Sequence, residues 1–495
     1  MIGINGYGAY VPRLRMDRTA IGQANAWYAP ALARAKGTRS LANWDEDAIT
    51  MAVAAARDCL GADEDRSAIR CLHFASTTLP FVERLNAGIV AEALTLDEDV
   101  EARDATGSQR VALACLGDAL AHVRSGQGDA LVLAADARKT RAASPQELSY
   151  GDGAAVLRLG REGVIAEHLG SAAITVDFVD RFRMTGEEID YHWEERWVRD
   201  EGVARLMPRA IAAALAKAGI EAATVDHFIF PTSFARMEAQ LARACGIKPE
   251  AVVDGLSATV GDTGAGHGLM LLAGVLERAK PGEIIVLAQF GSGAEAVVFR
   301  ATDQIGDFRP RVGLDGWLRR GVVETNYTKF LSFKGQLALE RGMRGEQDRK
   351  TALSTAWRHR RAILGLVAGR CEKTGQVHFP PSRLSCDQDS PALDTQKPYK
   401  LAERRGRVLS WSAEHLSFHM SPPNHYGQVD FEGGGRILME FTDIAPGEVD
   451  VGLAMDMVFR VKDIDEKRGY TRYFWKATPV REQAAAKVAA IGEMA

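Results

Sequence analysis

The sequence predicts an α/β protein with an internal duplication over about its first 305 residues, followed by a helical connector and a small β-barrel. Strand-length runs of Val, Ile, Leu and Ala alternate with helical segments, which is typical of a sheet covered by helices on both faces. The order of these elements also recurs once along the chain. After residue 305 the apolar strands give way to a segment rich in Arg, Lys, Glu and aromatic residues.

The two copies of the duplication match element by element. The first copy reads, in order, DEDAITMAVAAARDCL, IRCLHFAST, a helix near 83–95, DVEARDATG, a helix over 110–125, DALVLAADA and GAAVLRLG. The second copy reads VARLMPRAIAAALAKAG, VDHFIFPT, a helix near 234–245, AVVDGLSATVGDTGAG, HGLMLLAGVLERA, EIIVLAQF and GAEAVVFRA. The closing halves agree best, since each has a helix, a Gly turn, an apolar strand, a second Gly turn and another apolar strand.

Composition excludes several classes of protein. A chain of 495 residues is expected to form two or three domains, and its net charge of −4 gives no basic excess for a nucleic-acid partner. No apolar run is long enough to cross a bilayer, and the N-terminal MIGINGYGAYVPRLRM lacks the pattern of a secretion signal. Six irregularly spaced cysteines do not form a disulfide framework. We therefore expect a cytoplasmic protein with reduced thiols and no membrane partner.

Three glycine motifs carry a family resemblance. GDGAAV (151–156), GDTGAGHGLMLL (261–272) and FGSGAEAVVF (290–299) resemble the thiolase superfamily, in particular hydroxymethylglutaryl-CoA synthase and ketoacyl synthase III. The resemblance implies a thiolase-like five-layered αβαβα pseudo-repeat, with halves at 1–160 and 161–305. It also implies a coenzyme A or acyl-carrier thioester as substrate, and usually a homodimer.

The last third resembles the CoA-associated OB-fold proteins that partner thiolases, often as a separate subunit. This implies a helical hook at 306–365, a knuckle at 366–392 and a C-terminal OB-fold β-barrel at 393–495, built from GRVLSWSAEHLSF, GGRILMEFTDI, DVGLAMDMVFRVKDI and YTRYFWKATPV. Further thiolase-like subunits are then conceivable partners.

The knuckle departs from the zinc-binding pattern of these OB-fold proteins. Where the family has two pairs of cysteines, this chain has Cys371 with Thr374 and Cys386 with Asp389. Cys371, Cys386 and Asp389, with His378 nearby, are enough in number for a four-ligand zinc site. We nevertheless expect no zinc, because two thiolates are missing, and favour a metal-free turn packed by the adjacent Phe-Pro-Pro.

The position of the family's nucleophilic cysteine holds an amide instead. In the related synthases this cysteine lies seventeen residues before the Gly that ends its helix, and that count from Gly126 gives Gln109. Cys115 would need a six-residue slip, and in the second turn of the helix we expect it to fill the core. The sequence therefore predicts no covalent acyl-enzyme.

The other catalytic positions of the family are changed as well. Thr232 stands for the family's His, Asp262 for its Asn, and Thr78 for the Glu acid of hydroxymethylglutaryl-CoA synthase, with Glu83 one helical turn on. We take Gln109, Thr232, Asp262 and Glu83 as candidate catalytic residues. His267 joins them, because an imidazole is a suitable acid or base. For Asp262 a turn carboxylate, and for His267 a helix start, are the structural alternatives.

Backbone N–H groups remain available as hydrogen-bond donors when the side chains are substituted. The N–H at position 109 and the turn from Gly291 to Gly293 are expected to form an oxyanion hole, with Ser108 and Thr78 contacting substrate. A hole without a nucleophile can stabilise a thioester enolate, with Gln109 orienting the acyl group.

Three functions remain open from the sequence. The first is an acyl-CoA synthase or lyase that makes or breaks a C–C bond next to the thioester, of aldol or retro-aldol type. The second is a thioester decarboxylase, and the third is a non-catalytic acyl-CoA-binding or scaffold subunit. The segment DFVDRFRMTGEEIDYHWEERW contributes either pocket residues or a solvated lid or dimer contact.

Overall fold

The computed structural model describes residues 1–192, 194–345, 350, 352–386 and 391–481. The first half of the duplication alternates strands and helices as the sequence predicts. Its elements are β1 (Gly3–Tyr10), β2 (Leu14–Asp17), α1 (Arg18–Asn25), β3 (Thr38–Leu41), α2 (Ala48–Leu60), β4 (Ile69–Ala75), α3 (Asn86–Ala93), β5 (Glu101–Ala105), α4 (Val111–Ser125), β6 (Asp129–Asp136), α5 (Pro145–Ser149) and β7 (Gly153–Gly160).

The second half repeats this order with longer loops. Its elements are β8 (Ala166–Thr175), α6 (Glu195–Trp197), α7 (Ala204–Ala218), β9 (His227–Ile229), α8 (Met237–Ala244), α9 (His267–Leu276), β10 (Ile284–Phe290) and β11 (Gly293–Ala301). α6 continues through a π-helical stretch, Val198–Val203, into α7. The predicted helix near 234–245 is thus present. Among the described residues, the AVVDGLSATVGDTGAG segment forms two isolated bridges, Val252 with Phe228 and Asp262 with Tyr150.

The strands of both halves join one mixed sheet. Within the described residues its order is β5-β4-β6-β7-β1-β8-β11-β10-β9, and the first half meets the second where β1 pairs with β8. β4 runs parallel to β5 and β6, and β9 runs parallel to β10, whereas the remaining pairs are antiparallel. A mixed sheet covered by helices is the architecture that the apolar strands predict.

Alternate residues of each strand face different helix layers. Apolar side chains of α4 and α9 share one buried cluster with strands of both halves, so these two helices form the central layer. α2 and α3 pack on the opposite face of the first-half strands, and α7 and α8 cover the outer face of the second half. The result is the predicted order of five layers, in which the two strand layers between the helix layers are the two halves of one continuous sheet.

The connector and the C-terminal region follow. Their elements are α10 (Gly313–Arg319), β12 (Val322–Glu324), α11 (Tyr327–Phe333), α12 (Leu353–Arg358), α13 (Arg360–Gly365), β13 (Val367–Cys371), β14 (Val377–His378), β15 (Leu384–Ser385), β16 (Ala392–Leu393), β17 (Gln396–Lys400), β18 (Gly406–Glu414), β19 (Asn424–Phe431), β20 (Arg436–Glu440), β21 (Ala454–Asp465) and β22 (Tyr470–Pro479). The last five pair antiparallel in the order β20-β19-β18-β21-β22, which is the barrel that the sequence predicts.

The barrel shares a hydrophobic core with the first half. Trp475 of β22 is fully buried, and its indole N–H donates to the carbonyl of Leu364 at 2.6 Å. The Arg57 guanidinium of α2 lies 4.9 Å from the centre of the Trp475 ring and pairs with Glu403 at 3.0 Å. α13 of the connector packs against α3 of the first half. No helix of the described chain is long and apolar enough to span a membrane.

Candidate active site

The residue at the nucleophile position lies just before the central helix α4. Gln109 is buried, and its side-chain N–H₂ points to the hydroxyl oxygen of Thr77 at 3.4 Å. Its backbone carbonyl accepts a hydrogen bond from the side-chain amide of Gln289 at 2.8 Å. Cys115 lies within α4, and burial raises the pKa of its thiol to about 12. The thiol is therefore unreactive at neutral pH, and the group presented at the helix start is an amide.

The glycine turn after β10 packs directly against this helix start. The Ser108 hydroxyl and the Arg110 guanidinium both donate to the carbonyl of Gly291, each at 2.9 Å. A Cβ on Gly291 would lie 2.8 Å from the Ser108 hydroxyl and 3.2 Å from the Gln109 nitrogen. Gly293 has φ +126°, and a Cβ there would meet the carbonyl oxygen of Ile174 at 2.1 Å. Both glycines are required for this close approach.

Two N–H groups of the glycine turn already have acceptors. The N–H of Gly291 donates to the carbonyl of Gly293 at 3.1 Å, and the N–H of Ser292 donates to the Asp180 carboxylate at 2.9 Å. Asp180 is buried and also accepts from Arg181 at 3.3 Å. A carboxylate thus occupies a donor of the expected oxyanion hole, a contact that the sequence analysis did not foresee.

Asp262 is locked in an ion pair. Its carboxylate lies 3.1 Å from the guanidinium of Arg138, whose side chain is fully buried and stacks 3.6 Å above the ring of Tyr150. The other carboxylate oxygen accepts from the N–H of Gly264 at 2.9 Å. Burial alone would raise the pKa of Asp262. The pKa nevertheless lies well below its usual range, because Arg138, His267 and Arg181 favour the charged form. Asp262 is therefore ionised at neutral pH.

His267 is the first residue of α9, and both of its ring nitrogens are engaged locally. Nε2 donates to the carbonyl of Gly255 at 3.0 Å, and Nδ1 lies 3.2 Å from the hydroxyl of Thr263. Burial lowers the pKa of the imidazole, so the ring is neutral. These contacts correspond to the helix-start alternative, in which the imidazole organises its own turn.

A small cavity, about 40 Å³ in volume, brings several predicted residues together. Gln109, Thr232 and Asp262 line it, together with Asp180 and Arg181. The Thr232 hydroxyl accepts from the N–H of Phe234 at 3.1 Å, which orders the loop that replaces the family's histidine.

Two predicted residues lie elsewhere. The Thr78 hydroxyl donates to the Asp136 carboxylate at 3.0 Å and accepts from the N–H of Ala137 at the same distance. Its hydrogen is therefore already used within the protein. Glu83 is exposed in the loop before α3. Neither residue lines the small cavity.

The sequence analysis missed Asp136, a fully buried carboxylate at the end of β6. It accepts from the hydroxyls of Ser76, Thr77 and Thr78 at 2.9–3.0 Å and from the N–H of Ala265 at 2.8 Å. These bonds fix the loop after β4 relative to the turn before α9. A carboxylate directly after an apolar strand was the available signal.

The sequence analysis also missed His192, which lies in the predicted lid segment. It is 6% exposed, and neither ring nitrogen has a hydrogen-bond partner among the described residues. Burial, followed by the charge of Arg181, lowers its pKa to about 4. The ring lies 6.3 Å, centre to centre, from that of Phe234, which lines the small cavity with Arg181. His192 is thus a neutral imidazole beside the site.

The knuckle is organised by hydroxyl groups. The sulfur of Cys371 lies 3.1 Å from the Thr395 hydroxyl. Hydrogen bonds lower the pKa of the Cys371 thiol to about 6, and the one from Ser385 has the largest effect. Cys386 is exposed, and Asp389 lies outside the described residues. The described residues contain no group of three metal-ligating side chains.

Comparison with known proteins supports this architecture. The family model for the 3-oxoacyl-(acyl-carrier-protein) synthase III C terminal matches residues 215–301, and that for the ChsH2 C-terminal OB-fold domain matches residues 399–460. The hydroxymethylglutaryl-CoA synthase of Pyrococcus furiosus is 29% identical over 333 residues, covering 65% of this chain and 93% of the relative.

Solved structures show the same fold. A synthase III from Aquifex aeolicus superimposes with a TM-score of 0.53 at 19% identity, covering 61% of this chain and 100% of that one. MvaS in complex with 3-hydroxy-3-methylglutaryl coenzyme A superimposes with a TM-score of 0.54 at 19% identity, covering 67% and 91%. The chain has a thiolase-like fold followed by an OB-fold domain. It is related in sequence to hydroxymethylglutaryl-CoA synthases, so the predicted resemblance is confirmed.

Proposed function

We propose that this protein makes or breaks a C–C bond next to the thioester of an acyl-CoA, by aldol or retro-aldol chemistry and without an acyl-enzyme. The observation that carries this proposal is Gln109, an amide at the nucleophile position beside a retained glycine turn. An amide cannot attack a thioester, but its N–H₂ can donate to the thioester oxygen as negative charge develops there.

In the cleavage direction the substrate is a β-hydroxyacyl-CoA. A base removes the proton of the β-hydroxyl group, the Cα–Cβ bond breaks, and its electron pair moves into the thioester as an enolate. Cα then takes a proton, which leaves a shorter acyl-CoA and a free aldehyde or ketone. Gln109 holds the enolate oxygen in this proposal, and the neutral imidazole of His192 accepts the proton.

Asp262 and His267 have supporting roles in the proposal. The Asp262 carboxylate is held in its ion pair with Arg138, and the His267 imidazole is held by its own turn. Asp262 lines the cavity with Gln109, and His267 holds the turn that follows Asp262. This assignment differs from the expectation that one of them is the general acid or base.

The decisive experiment offers the full-length protein β-hydroxyacyl-CoA, acetoacetyl-CoA and malonyl-CoA, and follows thioester products by mass spectrometry. We expect cleavage of a β-hydroxyacyl-CoA, no acyl mass on the intact protein, and full activity after thiol alkylation. Gln109→Ala should reduce turnover by about 10²–10³-fold, as for loss of one oxyanion donor, whereas Gln240→Ala on the exposed face of α8 should not. Release of acetyl-CoA from malonyl-CoA alone would establish a decarboxylase instead.

A second candidate function is a non-catalytic acyl-CoA-binding subunit. The bond from the Ser292 N–H to Asp180 favours it, because a carboxylate there opposes the build-up of enolate charge. Binding of acyl-CoA without turnover of any thioester would support this candidate and refute the first.

A further inference from the structure

Residues 176–190, which follow β8 and which we call the lid, have an inverted pattern of burial. The only buried residue in this range is Asp180, which carries a carboxylate. Soluble proteins normally bury apolar side chains and leave carboxylates in water. The large apolar side chains of the lid are exposed instead; these are Val176, Val179, Phe182 and Met184. The lid is therefore not held in place by a hydrophobic core of its own.

Two successive tight turns present Asp180 to the candidate active site. The N–H of Phe178 donates to the carbonyl of Val176 at 2.8 Å, and the N–H of Asp180 donates to the carbonyl of Phe178 at 3.1 Å. Each turn thus spans only three residues. The Phe178 ring stacks on that of Trp197 with ring centres 4.1 Å apart, which fixes the start of the lid. From this position the Asp180 carboxylate accepts from the N–H of Ser292 at 2.9 Å.

The Ser292 N–H belongs to the turn that is expected to bind the thioester oxygen. Ser292 has φ +47°, a left-handed conformation that residues other than glycine rarely adopt, and strained backbone of this kind clusters at active sites. Asp180 lines the small cavity, whereas Ser292 does not. A ligand in that cavity therefore contacts the carboxylate rather than the N–H bonded to it. The carboxylate oxygen occupies this donor as an enolate oxygen would.

Polar contacts fasten the far end of the lid. Arg183 donates to the carbonyl of Thr77 and pairs with Asp190 at 3.4 Å. The Lys139 ammonium pairs with the exposed Glu188 at 2.5 Å. Contacts of this kind are readily replaced by contacts with water, so opening the lid costs far less than unfolding the protein.

The end of the lid is anchored separately. Gln146 of α5 donates to the backbone carbonyl of His192 at 3.1 Å, two residues beyond the lid. The imidazole that accepts a proton in the proposed function therefore keeps its place when the lid opens.

We propose that the lid is an autoinhibitory element, in which Asp180 occupies the Ser292 N–H until the thioester oxygen of an acyl-CoA displaces it. In the closed form the carboxylate blocks a donor of the oxyanion hole. In the open form this N–H is available to the thioester, and the negative charge that opposes an enolate has left the site. The Asp180 contact then belongs to the resting state and does not argue against catalysis. This inference rests on the proposed function only in taking an acyl-CoA as the ligand.

The test measures hydrogen exchange of the lid in the full-length protein alone, with acetyl-CoA and with coenzyme A, each ligand at millimolar concentration. We expect acetyl-CoA to raise the exchange of backbone amides in 176–190, because opening breaks the hydrogen bonds of the two turns. Coenzyme A has no thioester oxygen and should leave this exchange unchanged. A lid that is unchanged or more protected with acetyl-CoA, or that responds equally to both ligands, would overturn the proposal.

Arg183→Gln removes a fastening contact without altering a residue that lines the small cavity. We expect faster exchange of the lid without ligand, and acetyl-CoA binding about tenfold tighter in calorimetry, because the open form is then more populated. Arg205→Gln is the matched control; it removes an exposed ion pair with Glu201, 3.0 Å long, and should bind as the unmodified protein does. Thermal melts check that both variants are folded. Unchanged or weaker binding in Arg183→Gln would contradict autoinhibition.

The proposed function and the autoinhibitory lid fail separately. If acetyl-CoA raises the exchange of the lid but no thioester is cleaved, the proposed chemistry is refuted and the lid stands. If a thioester is cleaved while the exchange of the lid stays unchanged, autoinhibition is refuted and the chemistry stands.

Discussion

Replacing Asp262 by Asn should cost the protein stability rather than only activity. The side chain of Arg138 is fully buried, its carboxylate partner is 3.1 Å away, and the Tyr150 ring covers its other face. Removing one partner of such a pair leaves an uncompensated buried charge, which costs about 3–5 kcal/mol. Asn retains an oxygen that accepts from the N–H of Gly264, so the stability lost in Asp262→Asn comes from the missing charge. Asp262→Ala also removes this hydrogen bond and should cost a further 1–3 kcal/mol or so.

Denaturant unfolding of Asp262→Asn, Arg138→Met and the double variant measures this pair. We expect each single variant to be destabilised and the double variant to recover most of the loss, because no buried charge is then left unpaired. The pKa of Asp262 is lowered, so its contribution is complete above pH 3.8 or so and is lost as the pH falls further. A single variant as stable as the unmodified protein, but inactive, would refute this reasoning and make Asp262 the acid or base.

Three further predictions follow from the site. The pKa of His192 is lowered from 6.5 to about 4, so the free energy of unfolding should fall by up to about 3 kcal/mol as the pH drops from 6.5 to 4. His192→Gln should remove this part of the acid sensitivity in pH-dependent melts, and it should also reduce thioester cleavage. Asp180→Asn should tighten acyl-CoA binding by about tenfold in calorimetry, and the exposed Asp303→Asn should not; unchanged affinity would contradict the role of the Ser292 contact. β5 is an edge strand of the described sheet, so the protein should sediment as a homodimer at micromolar concentration, and a monomer would contradict pairing through β5.

The elements with a strong apolar pattern could be predicted from the sequence. α4 begins at Val111 and ends at Ser125, close to the predicted 110–125, because an apolar stripe and a following glycine define it. β8 and β19 were missed. β8, AEHLGSAAIT, is composed mainly of small and polar residues, and it is held between β1 and β11 by its position in the sheet rather than by strand propensity. β19, NHYGQVDF, is likewise stabilised by pairing with β18 and β20.

The site was predictable only in part, for the same physical reason. Gln109, Thr232 and Asp262 follow from short motifs on regular elements, and the structure brings them to one cavity. Asp180 and His192 lie in the long segment between β8 and α7, which has no periodic pattern to place its side chains. Their contacts depend on how that segment folds back over the site, which is a property of tertiary packing.

The barrel and the candidate active site are connected through one loop. The segment from Ser76 to Leu85 carries Thr77, which lies 3.4 Å from the Gln109 amide, at one end. At its other end the Phe81 ring lies 5.8 Å from that of Tyr470 in β22, and the Arg84 guanidinium lies 4.8 Å from the centre of the Tyr470 ring. Because the Asp136 carboxylate anchors Thr77 directly, we expect any movement of the barrel to shift the middle of this loop more than Thr77. We therefore expect the barrel to stabilise the loop beside Gln109 without taking part in the chemistry of the site.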